Sequence, residues 1–192
     1  MIGKALTAVI ATLALAGLSL PAYAQRDSGV ARSRSSAVSQ EKPSKYDFEL
    51  PYVGKQGKLS FKELAESDKP FVVFIWLTDC ELCHLQLPYV EQLQKVSDEN
   101  SLGVRVVSIC LDGEEETALE YMEDKGLSFD VLLDPRGRHV DTEYHVKDLG
   151  TPLAYVFKPG GEYVDYLSGY RSGFTKAVLK LLGIQPPAKA KL

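Results

Sequence analysis

The alternation of apolar and polar positions divides this chain into segments of clearly different kinds. Residues 5–24, "ALTAVIATLALAGLSLPAYA", are uncharged and follow Lys4. A basic start, a short apolar centre and Ala22-Tyr23-Ala24 form the layout of a secretory signal with an A-x-A cleavage site. The apolar stretch is short for a membrane-spanning helix, which needs about 20 residues. Residues 25–45 are rich in serine and basic groups and poor in large apolar ones, so they read as a flexible linker. Patterned sequence begins at Tyr46 and runs to about residue 184, with a loose proline- and lysine-rich tail over 185–192.

Within 46–184 the pattern alternates between strands and helices. "YDFELPYVGKQGKLSF" reads as two extended pieces around the turn Gly54-Lys55-Gln56-Gly57. A short helix follows, with Ser60 as its N-cap. "FVVFIW" (71–76) is a continuous apolar run of β-branched and aromatic residues, the signature of a strand buried on both faces. Leu82, Leu85, Tyr89, Leu93 and Val96 recur at helical spacing, with Pro88 predicting a kink. Buried strands are expected again at 104–111 and 129–134, separated by an acidic helix over 114–126 closed by Gly126. Residues 137–146 read as a short helix or turn. "LAYVFK" and "YVDYLSG", joined by Pro159-Gly160-Gly161, predict an antiparallel hairpin, and 172–183 a closing helix. This order implies an α/β fold, a central mixed sheet flanked by helices.

Composition changes the picture little. The chain has 192 residues, 45% hydrophobic and 25% charged, with a net charge of -4. That is a soluble globular profile, and the mild acidity gives no electrostatic basis for binding nucleic acid. Export matters more, because thiols outside the cytoplasm meet oxidising conditions. Cys80, Cys83 and Cys110 are an odd set of three, so at least one is not paired within the chain.

The candidate chemistry lies in "TDCELCH" (78–84). The pattern puts Cys80 just past a buried strand, opening a helix. Unpaired N–H groups and the positive end of the helix dipole favour a thiolate there. Two intervening residues bring both sulfurs to one helix end, within disulfide reach. Cys80 would then be the exposed, attacking thiol and Cys83 the buried, resolving one. The same letters fit a c-type haem attachment site ending in His84, but strands on both sides of the motif do not match small helical haem domains. A solvent-facing helix position is the plainer reading of His84. A purely structural Cys80–Cys83 bridge would close a tiny loop and add little stability. A zinc site lacks a second cysteine pair, so no metal and no cofactor are expected. Cys110, near the end of a buried strand, reads as a small buried hydrophobe.

Three stretches, "FVVFIWLTDCELC", the proline of "CHLQLP" (Pro88) and "GTPLAYVFKPGGEYV" (150–164), together resemble the thioredoxin superfamily. More narrowly, they resemble its exported TlpA/ResA-like thiol–disulfide oxidoreductases, over about residues 47–183. The resemblance implies a thioredoxin-like fold with an N-terminal β-hairpin and an inserted helix and strand over about 112–130. It implies catalysis by Cys80 and Cys83, a cis bond before Pro152, and a substrate-binding set of Thr151, Pro152 and Trp76, with Thr151 facing the sulfurs and Trp76 lying under the site. It also implies a periplasmic or otherwise extracytoplasmic monomer, with an upstream membrane thiol donor and client proteins carrying disulfides or oxidised thiols. The departures are specific. Asp79 stands where the family usually has tryptophan, Gln86 where the TlpA/ResA-like pattern has glutamate, and Phe74 where thioredoxins proper have a buried aspartate. With both usual carboxylates missing, Glu81, Asp79 or a water is the candidate for managing the proton of the resolving thiol. The same two charges flank Cys80 and disfavour its thiolate, which points to a reductant rather than a strong oxidant. A noncatalytic binding module with a structural disulfide is the alternative. A peroxidase would need an arginine paired with Thr78, and none is near it in sequence.

Overall fold

The computed structural model describes residues 45–185. The expected signal sequence (1–24), nearly all of the linker (25–45) and nearly all of the tail (185–192) lie outside the described residues.

The continuous apolar run 71–76 becomes β3 (Phe71–Trp76), buried at every position. Its side chains alternate between two separate cores. Val72, Phe74 and Trp76 enter one, and Phe71, Val73 and Ile75 enter the other. The central five-stranded sheet has the order β5-β4-β3-β6-β7, where β4 is Arg105–Cys110, β5 Asp130–Leu133, β6 Leu153–Phe157 and β7 Tyr163–Ser168. The β3–β4 and β4–β5 pairs are parallel, and β3–β6 and β6–β7 antiparallel, so the sheet is mixed as expected. The N-terminal hairpin, β1 (Glu49–Pro51) and β2 (Lys58–Ser60), forms its own two-stranded sheet. It meets the β5 edge through the Tyr52–Leu132 bridge and the Val53 N–H, which donates to Val131 O at 2.9 Å.

Helices cover both faces. α1 (Phe61–Ala65) begins at Ser60, which makes a full capping box with Glu63. α2 (Glu81–Glu99) and α5 (Phe174–Leu181) pack Leu87, Val90 and Leu93 and Phe174, Val178 and Leu179 into the first core. The second core takes Phe61 and Leu64 of α1 and is strongly aromatic: Phe71 and Phe157 stack with centroids 4.9 Å apart. α3 (Glu115–Lys125) ends at Gly126, whose left-handed φ of 61° suits a residue without a β-carbon. α2 runs through Pro88 as one continuous helix, so the proline marks no boundary. Residues 137–144 form hydrogen-bonded turns. They lead to a short helix that the pattern did not predict, α4 (Val146–Leu149). Those turns are held by the fully buried Asp134 carboxylate, which accepts from the backbone N–H groups of His139 and Val140.

One charge cluster carries a pH prediction. Partial burial pushes the Asp130 carboxyl up, but Lys55 and Arg105 outweigh it and hold the group below its ordinary value. A carboxyl lowered in the folded state stabilises at pH above its unfolded value of about 4, and that stability is lost as pH falls through the folded value. Asp130→Asn should therefore lower the denaturation midpoint at neutral pH, and the gap from the parent protein should close in acid. Urea melts across that range measure it.

Candidate active site

The site forms at the carboxyl ends of the parallel strands β3 and β4, where an open α/β sheet leaves a crevice. β3 ends at Trp76, and Leu77, Thr78 and Asp79 carry the chain to Cys80, the N-cap of α2. Two bonds hold this loop. The Thr78 N–H donates to the Asp112 carboxylate at 3.2 Å, and Thr78 O accepts from His84 Nε2 at 2.5 Å, which defines the His84 tautomer. The His84 ring stacks on Tyr121 of α3 at 5.1 Å, and Tyr121 also lies against Trp76 at 5.3 Å. The inserted helix thus closes one side of the motif. Burial pushes the Tyr121 hydroxyl pKa above its ordinary value.

Cys80 and Cys83 are joined as a disulfide, with α-carbons 5.2 Å apart. Cys80 is partly exposed and Cys83 fully buried, the asymmetry expected of an attacking and a resolving sulfur. Cys80 Sγ accepts from the Cys83 N–H at 3.2 Å and from the Thr151 hydroxyl at 3.5 Å, and lies 3.7 Å from Thr151 O. The Thr151–Pro152 bond is cis. The structure therefore brings Thr151 onto Cys80 from a position 71 residues away, with Pro152 buried beside it.

Trp76 lies under the site, as the resemblance implies. It is 0% exposed, beneath the motif, and its Nε1 donates to the buried Ser108 hydroxyl at 3.2 Å. A side chain with no exposed surface supports the site from below and does not touch an incoming chain. Asp79 and Glu81 are both exposed and flank Cys80 in solvent. His84 is exposed as expected, though bonded and stacked. Cys110 is fully buried, and its thiol donates to Asp112 at 3.1 Å. Burial pushes that thiol pKa far up, so it remains protonated.

Several residues were missed by reading the sequence. Asp112, just past β4, and Tyr121 of α3 brace the motif, and Gln86, read from sequence only as standing where the family pattern has glutamate, turns inward from α2 to accept the Arg171 N–H at 2.6 Å. Asp112 follows directly on a buried strand that runs parallel to β3, which was the one available signal. A cavity of about 250 Å³ opens between α2 and α3, lined by His84, Pro88, Glu91, Lys95, Tyr121 and Lys125. A larger one, about 370 Å³, is walled by Tyr46, Tyr155, Tyr163 and Tyr166 and includes neither cysteine of the motif. Among the described residues no group of three or more His, Cys, Asp or Glu side chains is placed to share a metal ion.

Comparison with known proteins agrees with this geometry. The signature described as the AhpC/TSA family matches residues 42–165. The chain is 28% identical over 124 residues to the thiol-disulfide oxidoreductase ResA of Oceanobacillus iheyensis, covering 64% of this chain and 62% of that protein. It is 33% identical over 95 residues to the ResA of Bacillus subtilis, covering 49% and 50%. The chain thus spans between half and two thirds of the length of these relatives. Among solved structures, a thioredoxin family thiol:disulfide interchange protein from Chlorobium tepidum superposes with a TM-score of 0.60 at 22% identity, covering 74% of this chain and 99% of that one. StoA from Bacillus subtilis gives 0.57 at 15% identity, covering 73% and 99%. Identities this low speak to the fold, which is thioredoxin-like. With the family signature running from before the N-terminal hairpin into the last strand, well over half the sequence, the chain belongs to the AhpC/TSA family of thioredoxin-like proteins.

Proposed function

We propose that this chain is a thiol–disulfide oxidoreductase that works outside the cytoplasm and reduces protein disulfides through Cys80 and Cys83. One observation carries the reading: a partly exposed cysteine at a helix N-terminus is bonded to a fully buried one and sits against the Thr151–Pro152 corner. A structural bridge needs no exposed member, whereas exchange does. The names of its relatives are those of oxidoreductases, which supports the reading. A signal-like segment at residues 1–24 supports export. Among the described residues no helix is long and apolar enough to cross a membrane.

In the proposed cycle, a client disulfide is attacked by the Cys80 thiolate and one client sulfur leaves as a thiolate. Cys83 then attacks Cys80 Sγ, expels the second client sulfur and closes the disulfide. The client gains two electrons and the protein loses two. A dithiol donor, in the proposed setting a membrane thiol protein, reverses this to reset the pair. Backbone groups at Thr151 pair with the client chain beside the sulfurs. Asp79 and Glu81, exposed on either side of Cys80, exchange protons with solvent and make the Cys80 thiolate less favourable than the helix end alone would. The pair is accordingly reducing, and the protein acts as a monomer.

Equilibration of the mature protein in dithiol/disulfide buffers, with mass-tag counting of free thiols, tests the reading. The expected result is a two-electron couple at about -270 mV or below, with Cys110 unchanged. A potential close to about -120 mV would reverse the direction of the assignment. A pair that never reduces under native conditions would make this a binding module with a structural bridge. Peroxide consumption by the reduced protein would favour a peroxidase instead.

A further inference from the structure

Gln86 is 1% exposed on α2, and its Nε2 is the buried side-chain polar atom left without a hydrogen-bond partner among the described residues. Leaving a buried amide donor unpaired is unfavourable, and such groups call for an explanation. The assignment of its two ends is settled by chemistry: Oε1 accepts from the Arg171 N–H at 2.6 Å, and a flipped amide would set two donors against each other.

The orphan donor sits one helical turn after Cys83. Residues three apart on a helix share a face, with β-carbons about 5–6 Å apart. Both are buried, so both face inward. Side chains on a helix lean toward its N-terminus, which directs the Gln86 side chain back toward Cys83. The two sulfurs are unequally provided for. Cys80 Sγ receives the Cys83 N–H and the Thr151 hydroxyl, while Cys83 Sγ receives no hydrogen bond from the described residues. In the disulfide this costs nothing, because a bridged sulfur carries no charge. When a donor thiolate attacks Cys80 Sγ, the S–S bond breaks and its electron pair leaves on Cys83 Sγ. A buried anion then forms where no partner is in place.

We infer that Gln86 Nε2 is the donor held for that anion: it is unpaired in the disulfide and hydrogen-bonds Cys83 Sγ once the bridge opens. A neutral amide in this position stabilises the leaving thiolate without bringing a second titrating group. It neither takes the proton of Cys83 nor competes with it in charge. The inference rests on the Cys80–Cys83 pair cycling as proposed above, and it adds the group that manages the resolving sulfur.

The test is the titration of Cys83, followed by thiolate ultraviolet absorbance in reduced Cys80→Ala protein, with Cys80→Ala/Cys83→Ala as the blank for Cys110. Gln86→Met removes the donor at similar length and shape. Gln86→Leu removes the donor with a branched, equally uncharged side chain. Both should lower the thiolate-to-thiol ratio of Cys83 at a given pH by about tenfold or more, one unit of titration midpoint. If Gln86 merely held Arg171 in place, the leucine variant would titrate as the parent, and that outcome overturns the inference. So does an unchanged midpoint in the methionine variant. Should either variant fail to fold, the other decides. The titration requires no turnover, so its failure leaves the exchange reading intact, and failure of the redox assay leaves the titration result standing.

Discussion

Cys80→Ser should abolish disulfide exchange, lowering turnover with a dithiol and a protein disulfide by at least about a thousandfold, as loss of a covalent nucleophile does. Cys83→Ser should behave differently. The exposed thiol would still attack, but nothing would resolve the product, so a mixed disulfide with the client would accumulate. Non-reducing electrophoresis of the two variants after incubation with an oxidised protein distinguishes them, and the trapped species would identify the client. Cys110→Ala should leave the rate unchanged, because a fully buried thiol bonded to Asp112 and kept protonated by burial reaches no substrate. Equal turnover by Cys80→Ser and parent protein would contradict the proposed chemistry.

The second large effect is on stability. Trp76→Ala should destabilise the fold by about 3–5 kcal/mol, the range for deleting a large aromatic from a packed core. That is a large part of the roughly 5–15 kcal/mol available to a domain. Trp76 is 0% exposed, packs in the core that holds Cys83, Leu87 and Phe174, and contacts Tyr121 at 5.3 Å. Trp76→Phe keeps much of the volume but strips the buried Ser108 hydroxyl of its partner, and should cost about 1–3 kcal/mol. Urea melts measure both. Full burial also predicts that the phenylalanine variant keeps the parent KM for protein substrates while it remains folded. A raised KM with unchanged stability would instead restore Trp76 to the substrate surface.

Most of the layout was legible because its signals are local. β3 was read from six consecutive apolar residues, and it is buried on both faces for the reason the run implies. Ser60 and Gly126 marked helix ends because capping needs particular side chains or a left-handed backbone. α4 escaped because four residues, "VKDL", are too few to show a period and none of them is buried. Pro88 lies inside one continuous helix, where the packing of Leu87, Val90 and Leu93 offsets one missing hydrogen bond.

The sequence by itself determined the motif and its surroundings: two cysteines at the start of a helix, after a doubly buried strand, with a threonine-proline far downstream. Spacing and periodicity are properties of a short stretch, and a short stretch suffices to state them. Tertiary structure alone decided which partners each group has. Thr151 meets Cys80 across 71 residues, Asp112 holds the loop before it, Tyr121 covers it, and Arg171 satisfies one end of Gln86 and leaves the other bare. Contacts of that kind depend on strand order and on how the helices settle on the sheet. No window of sequence contains both members of such a pair.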